Sequence, residues 1–360
     1  MRTICFFVSK ISGTGGTERV TSLIANELCE KGYQVYLFSL IGKPEINFEL
    51  NQKIKIISLN LPEGSVKQNF IKIVLEWRKF IIEHKIDVVV DVDAILSVFS
   101  VCSLVGLKTK HISWEHFNYN VDLGVRFRRW GRILASRFAD KIVTLTDKDR
   151  KIWQNSLKNI KAEIVTIHNP SPYENLSHTP KLEFKTILAV GRFTYQKGFD
   201  QLIEIWSQIC KKTSEWRLVI VGEGEDKPSL LAKAKELKIM DYIEFYPATK
   251  DIHNFYLTSS FYCMTSRFEG LPMVLLEAQA FGLPIIAFDC ECGPSDIVIP
   301  KKNGYLVRNG DLSDFENKLW EAINLSSHDY NSYSRNALEN NKIFSLENNI
   351  ISKWIDIIEN

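Results

Sequence analysis

The chain has no apolar run that reaches the roughly 18 residues needed to span a bilayer. Any membrane contact is therefore expected to be peripheral. An export-signal pattern is also missing. Ile4 to Val8 is too short for the apolar core of a signal peptide, and a glycine loop follows it at once. Charge of one sign is scarce. Lys and Arg total 45 against 43 Asp and Glu, a formal net charge of +2, which gives no general attraction to nucleic acid. No disulfide framework is written either. The 7 cysteines are odd in number and scattered, which fits a reducing cytosol. Cys290-Glu291-Cys292 is the one close pair, and it lacks the second pair or nearby His of a zinc pattern.

What is present suits a globular protein of two domains. The chain has 360 residues, 45% apolar and 24% charged. Short apolar runs alternate with amphipathic stretches. Strands are expected at Ile4–Val8, Gln34–Leu40, Ile54–Leu59, Val88–Val90, His111–Trp114, Lys141–Leu145 and Ile164–Ile167. The pattern restarts at Thr186–Val190 and runs through Leu218–Val221, Ile243–Tyr246, Phe261–Thr265, Pro284–Phe288 and Tyr305–Val307. Helices are expected between them, such as Thr17–Lys31 closed by Gly32, and Asn69–Lys85. Alternation of this kind implies doubly wound α/β domains with parallel sheets. The expected division is a first domain over 1–168, a linker over 169–182 rich in Pro, Ser and polar residues, and a second domain over 183–344. The last segment, 345–360, reads as a helix with Leu346, Ile350, Trp354 and Ile357 apolar.

Four loops carry the chemistry. Ser266 to Glu277 follows a buried strand, and Pro272 suits the first turn of the next helix. Gly282 and Pro284 sit where that helix should end. Glu269 then lies in a tight loop, and Glu277 about a turn and a half into the helix. Carboxylates favour sugar hydroxyls and a helix N-terminus favours phosphate, so the pair points to a phosphorylated, polyhydroxylated ligand. A second loop, Gly191 to Gly198, is bracketed by Arg192 and Lys197, two cations able to neutralise a diphosphate. A third, Gly222-Glu223-Gly224-Glu225-Asp226, also follows a strand and offers a weaker contact through Glu223. The fourth, Gly13 to Arg19, lets the backbone approach a phosphate at Gly15 and Gly16. It is not the dinucleotide fingerprint G-x-G-x-x-G, and no acidic residue ends the second strand to hold a ribose. It is not a P-loop, since no Gly-Lys-Ser/Thr follows.

Three further features need weighing. His116, in Ser113-Trp114-Glu115-His116-Phe117, sits just past a strand, with a catalytic and a structural reading both open; Glu115 beside it serves acceptor contact or solubility. Asp91-Val92-Asp93 has the form of a metal-holding triplet, yet it lies far from the second domain's phosphate loop and is read as a decoy. Val125 to Leu134 is basic and helical in period. Phe127, Trp130, Leu134 and Phe138 are expected on one, core-facing side, and Arg128, Arg129 and Arg132 on another. The Arg126 to Arg132 region is thus a candidate contact for an anionic membrane or a lipid-diphosphate acceptor. With its aromatics turned to the core it offers no stacking platforms for nucleic acid.

Taken in order, Gly15-Gly16-Thr17-Glu18-Arg19, Gly191-Arg192…Lys197-Gly198, Gly222-Glu223-Gly224 and Glu269…Glu277 resemble the family 4 retaining glycosyltransferases. Gly282-Leu283-Pro284, Gly293-Pro294 and Asn303-Gly304 fit as well. The Ser113 to Phe117 segment is similar to bacterial enzymes that add hexoses to lipopolysaccharide and capsule. The resemblance implies the GT-B architecture, two Rossmann-like doubly wound parallel-sheet domains facing a shared cleft, with the last helix crossing back to the first domain. It implies transfer of a hexose or N-acetylhexosamine from a UDP-sugar to a glycan or lipid-linked glycan acceptor, with retention and without a metal or other cofactor. Arg192 and Lys197 would bind the diphosphate with the Gly16 amide, and Glu277 the ribose. Glu269 and the amides of Phe268, Gly270 and Leu271 would hold the transferred sugar. His116 would approach its C6 hydroxyl. The expected location is cytoplasmic, peripheral on the inner face of the inner membrane. The competing readings are a UDP-sugar epimerase on the same architecture, which needs no acceptor, and a non-catalytic nucleotide-sugar-binding subunit. A nicotinamide dehydrogenase ranks below both, because its fingerprint is absent.

Overall fold

The computed structural model describes residues 2–43, 46–174, 176 and 178–360; Asn175 and Ser177 of the expected linker lie outside them. The chain forms two compact units. One runs through Pro170 and takes in Leu346–Asn360, and the other is Ser171–Ser345. The stretch expected as a linker therefore belongs, from Ser171 onward, to the second unit, where the Ser171 amide donates to the Phe344 carbonyl at 2.8 Å.

The first unit is built on a seven-stranded parallel sheet. Its strands are β1 (Thr3–Lys10), β2 (Gln34–Ile41), β3 (Lys55–Leu61), β4 (Val88–Val92), β5 (Lys110–Trp114), β6 (Lys141–Thr144) and β7 (Glu163–Thr166), in the order β3-β2-β1-β4-β5-β6-β7. Helices α1 (Gly16–Glu30), α2 (Phe70–Glu83), α3 (Ser97–Ser103), α4 (Arg126–Phe138) and α5 (Asp147–Ser156) connect them. The chain winds leftward from β1 through β3, crosses back to β4, and then winds rightward to β7. Right-handed crossovers then place α1 on one face and α2 to α5 on the other. Successive residues of β1 serve the two faces. Phe7 stacks on Trp77 of α2 at 4.6 Å, whereas Phe6 meets Trp354 of the final helix, Ile351–Glu359, at 6.4 Å. Trp354 also packs edge-on to Trp114 at 4.6 Å.

Helix α4 departs from expectation. Its aromatics do not face the core: Trp130 and Phe138 are 62% and 60% exposed, while Arg132 is only 3% exposed. Gly131 is the cause. A Cβ there would lie 2.3 Å from the Ala94 carbonyl oxygen, so the helix rests on backbone at Gly131 and turns Arg132 and Ala135 inward. The arginines are accordingly split. Arg132 pairs with Glu115 and Arg128 with Asp93, both at 2.7 Å, while Arg129 stays outside.

The second unit has a six-stranded parallel sheet: β8 (Thr186–Val190), β9 (Arg217–Val221), β10 (Ile243–Tyr246), β11 (Phe261–Met264), β12 (Ile285–Asp289) and β13 (Gly304–Arg308), ordered β10-β9-β8-β11-β12-β13. Helices α6 (Phe199–Ile209), α7 (Lys227–Glu236), α8 (His253–Leu257) and α9 (Met273–Ala280) follow β8 to β11 in turn. The core gathers Ile187, Leu202, Trp206, Leu218, Ile220 and Phe261, all essentially buried. The winding direction reverses between β8 and β11. Such a switch leaves a crevice at the carboxyl ends of the two strands, where doubly wound sheets bind ligands.

Candidate active site

In the second unit, the loop after β8 meets the loop after β11 at that crevice. Close backbone approach holds them. Gly198 has φ +64°, and a Cβ on it would stand 2.2 Å from the Thr265 carbonyl oxygen. Thr265 Oγ1 donates to the Gly198 carbonyl at 3.0 Å, the Arg267 amide to the Gln196 carbonyl at 2.8 Å, and Gln196 Nε2 to the Phe268 carbonyl at 3.1 Å. Across this seam Lys197 Nζ lies 2.6 Å from Glu269 Oε1. The side chains are 19% and 8% exposed, so the pair sits mostly out of water. The cation expected on the diphosphate and the carboxylate expected on the sugar are thus each other's partners. An ammonium has three N–H donors, which leaves Lys197 the capacity to bind a phosphate oxygen as well.

Arg192 is exposed in the same loop, and among the described residues no ion pair engages it. Phe193, beside it, is buried and anchors the loop to the next one. Its amide donates to the Glu223 carbonyl at 2.8 Å, and its carbonyl accepts from the Asp226 amide at 3.1 Å. A Cβ on Gly224 would stand 2.2 Å from the Phe193 carbonyl, so the Gly222-Glu223-Gly224 turn supports the cation loop from below. Glu223 itself points to solvent.

Gly270 and Leu271 are buried, and Gly293, at φ +99°, packs against this loop, 2.6 Å from the Gly270 carbonyl by the position of an added Cβ. Pro272 caps α9 in extended conformation. Glu277 follows on the buried side of the helix, and its Oε2 accepts the Tyr256 hydroxyl at 2.6 Å. Burial and the Glu277 charge push the Tyr256 phenol well above its ordinary pKa, so it remains a donor. Ser266, at the start of the loop, is buried with its hydroxyl unpartnered among the described residues. A buried hydroxyl without a partner is uncommon in a finished core and suits a ligand contact.

Two contacts escaped sequence reasoning. Arg267 forks onto Asp200 at 2.9 and 2.7 Å and lies over the Tyr195 ring at 4.1 Å, fixing the stem of the Glu269 loop. Tyr256 reaches Glu277 from α8, 21 residues upstream. A lone Tyr in a five-residue helix carries no signal of that role.

The first unit has its own switch point, between β1 and β4. Gly15 caps α1 with no side-chain cap, and Gly16 opens the helix. The Glu18 carboxylate folds back under this loop: a Cβ on Gly13 would meet its Oε1 at 2.3 Å, and one on Gly15 its Oε2 at 2.9 Å. Past β5, His116 is 8% exposed and packs on the Trp114 ring at 4.3 Å. Burial, helped by the Arg128 charge, lowers its pKa to about 3. It is therefore a neutral imidazole at ordinary pH. Its Nε2 is buried without a partner among the described residues, which suits a hydrogen bond to a hydroxyl and not a charge contact.

Glu115 is not placed for acceptor contact. It is wholly buried, with Oε2 on Arg132 Nε at 2.7 Å and Oε1 on the Phe117 amide at 3.1 Å. Arg132 in turn donates to the carbonyls of Tyr119 and Val121 at 2.6 and 2.8 Å, so the pair shapes the loop behind His116. Asp91 is also internal, held by His111 Nε2 at 2.6 Å, Ser97 Oγ at 2.8 Å and Ser100 Oγ at 2.5 Å. Asp93, at φ +96°, caps the short turn Ala94–Leu96 and pairs with Arg128. Burial and nearby Glu115 raise its carboxyl to about 6.

Comparison with known proteins fits this geometry. The family described as "Glycosyltransferase Family 4" matches residues 14–172, and that described as "Glycosyl transferases group 1" matches residues 174–340. An uncharacterized glycosyltransferase of Haemophilus influenzae is 39% identical over 90% of this chain and 91% of its own length. The amylovoran biosynthesis glycosyltransferase AmsD of Erwinia amylovora is 31% identical over 99% of this chain and 100% of its own. Among solved structures, Anabaena HepE in complex with UDP and glucose superposes with a TM-score of 0.80 at 16% identity, covering 100% of both chains. Two Rossmann-like units of the GT-B kind, full-length relatives and matches to both halves lead to one conclusion: the chain belongs to the family 4 glycosyltransferases and is an enzyme of that class.

Proposed function

We propose that this enzyme moves a hexose or N-acetylhexosamine from a UDP-sugar to a bacterial surface glycan, such as lipopolysaccharide, O-antigen, capsule or exopolysaccharide, with retention of configuration. The observation that carries the reading is the Lys197–Glu269 pair at the switch point of the second sheet, with unengaged Arg192 in the same loop. As the sugar C1–O bond breaks, negative charge grows on the departing diphosphate. Lys197, held there by Glu269, and Arg192 in the same loop stabilise that charge. Glu269, released in part from Lys197, accepts hydrogen bonds from hydroxyls of the sugar, and the Phe268 to Leu271 backbone lines the same pocket wall. Glu277, oriented by Tyr256, accepts the ribose hydroxyls. The acceptor oxygen bonds to C1 on the face the phosphate leaves, and its proton passes to the departing phosphate oxygen. Neutral His116, in the first unit, is read as a hydrogen-bond partner for a substrate hydroxyl.

Fixed cations at the diphosphate make a metal unnecessary in this reading, so full activity in chelator is the expected result. HepE, crystallised with UDP and glucose, and AmsD, a protein of amylovoran biosynthesis, support the donor and acceptor classes. The acceptor is read as lipid-linked, which places the enzyme at the cytoplasmic face of the inner membrane. The test is a panel of nucleotide sugars offered to the wild type and to Arg192→Ala and Glu269→Ala. UDP-sugar turnover that the folded variants lose is expected. Unchanged transfer by either variant sinks the assignment, and conversion of the donor without acceptor would point to an epimerase instead.

A further inference from the structure

The face of the first unit formed by α2, α3 and α4 exposes apolar side chains that helices in water ordinarily bury. Ile71 and Leu75 of α2 are 73% and 61% exposed, alongside the outward Trp130 and Phe138 of α4. The three helices lie on one side of the sheet, α3 packing against both neighbours. Lys67, just before α2, lies 5.5 Å from the centroid of the Phe127 ring, which brings the starts of α2 and α4 together. Exposed apolar groups gathered on one face mark an interaction surface.

Charge decides the partner. Helix α4 carries five arginines and no acidic residue. Arg128 and Arg132 are consumed by Asp93 and Glu115. Arg126, Arg129 and Arg137 are exposed, and none has an ion pair among the described residues. Aromatic rings interleaved with free guanidinium groups match an anionic bilayer surface, where rings enter the headgroup boundary and cations meet lipid phosphates. We propose that this helical face seats the enzyme on an anionic membrane, Trp130 and Phe138 entering the interface and Arg129 and Arg137 engaging phosphates. It rests on the reading of a lipid-linked acceptor. It replaces the Arg126 to Arg132 run with a surface set by the outward aromatics.

The test uses the whole protein and vesicles of phosphatidylcholine alone or with roughly one third phosphatidylglycerol, read by co-sedimentation. Binding to the anionic vesicles, weakened by salt and absent on the neutral ones, is expected. At roughly fivefold per surface cation, Arg129→Gln with Arg137→Gln weakens binding about 25-fold, and Trp130→Ser with Phe138→Ser weakens it about tenfold or more. UDP binding and melting temperature stay unchanged in both pairs. No binding of wild type to anionic vesicles overturns the proposal, as does equal binding by the variants. So does a face that binds RNA, or a second copy of the chain, through Trp130 while ignoring vesicles. UDP binding separates the two readings. If it persists without vesicle binding, only the docking face fails; if wild type binds no UDP, the donor assignment fails.

Discussion

Replacing Lys197 by Met separates what the Lys197–Glu269 pair does for folding from what it does for catalysis. The substitution keeps the length of the side chain and removes the charge. Glu269, 8% exposed, is then left without its 2.6 Å partner. Breaking a buried pair from one side costs about 3–5 kcal/mol. The 19% exposure of the lysine lets water reach the gap, which discounts the cost below that range, to about 2 kcal/mol. For a unit of this size that is a fall in melting temperature of about 4–8 °C. Loss of a fixed cation at the leaving diphosphate costs about 10²–10³ in kcat. The double variant Lys197→Met/Glu269→Gln removes both charges, so no carboxylate is left without its lysine. It should regain most of the stability while activity stays lost. Calorimetric melting and initial rates of UDP release on wild type, Lys197→Met, Glu269→Gln and the double variant complete the cycle. A double variant as unstable as Lys197→Met would refute the pairing argument. Activity within a few-fold of wild type in Lys197→Met would refute the leaving-group role.

Three further outcomes follow from the geometry. His116, with its pKa lowered to about 3, is neutral when folded and protonates near 6.5 when unfolded. The unfolded chain therefore binds the extra proton between those values. Stability is complete above about pH 6.5 and declines as pH falls toward 3, by roughly 2 kcal/mol at pH 5. Asp93, raised to about 6, acts in the opposite sense, favouring the fold as pH drops below that value. Subtracting the urea-unfolding profile of His116→Gln isolates the histidine, and parallel profiles would discount it. Tyr256→Phe keeps the ring between Tyr262 and Phe281 but removes the donor to Glu277. UDP affinity should drop about tenfold by titration calorimetry, with kcat less affected; unchanged affinity would free Glu277 from the ribose. Asp91→Ala removes the acceptor shared by His111, Ser97 and Ser100 in a fully buried network and should cost about 3 kcal/mol of stability. A metal-dependent loss of activity without loss of stability would reverse the structural reading of Asp91.

The alternation of apolar strand and amphipathic helix was legible along the whole chain, because the period of side-chain burial is written locally. Each expected strand is present, and β8 and β10 keep their expected bounds. The loop set was legible for the same reason: Gly198 and Gly293 are demanded by backbone geometry at their own positions, and Pro272 fits the cap of α9. Tertiary structure decided which groups are spent on each other. Glu269 and Lys197 lie 72 residues apart, and only the reversal of winding between β8 and β11 brings them to contact. Glu115 looked available until Arg132 arrived from the next helix. The facing of α4 was hidden too. Its helical period allowed the aromatics or the arginines to turn inward, and hydrophobicity favoured the aromatics. Gly131 against the Ala94 carbonyl and two buried carboxylates settled it the other way. Local pattern sets which elements form; long-range pairing of charge and backbone sets which side chains remain free for ligands.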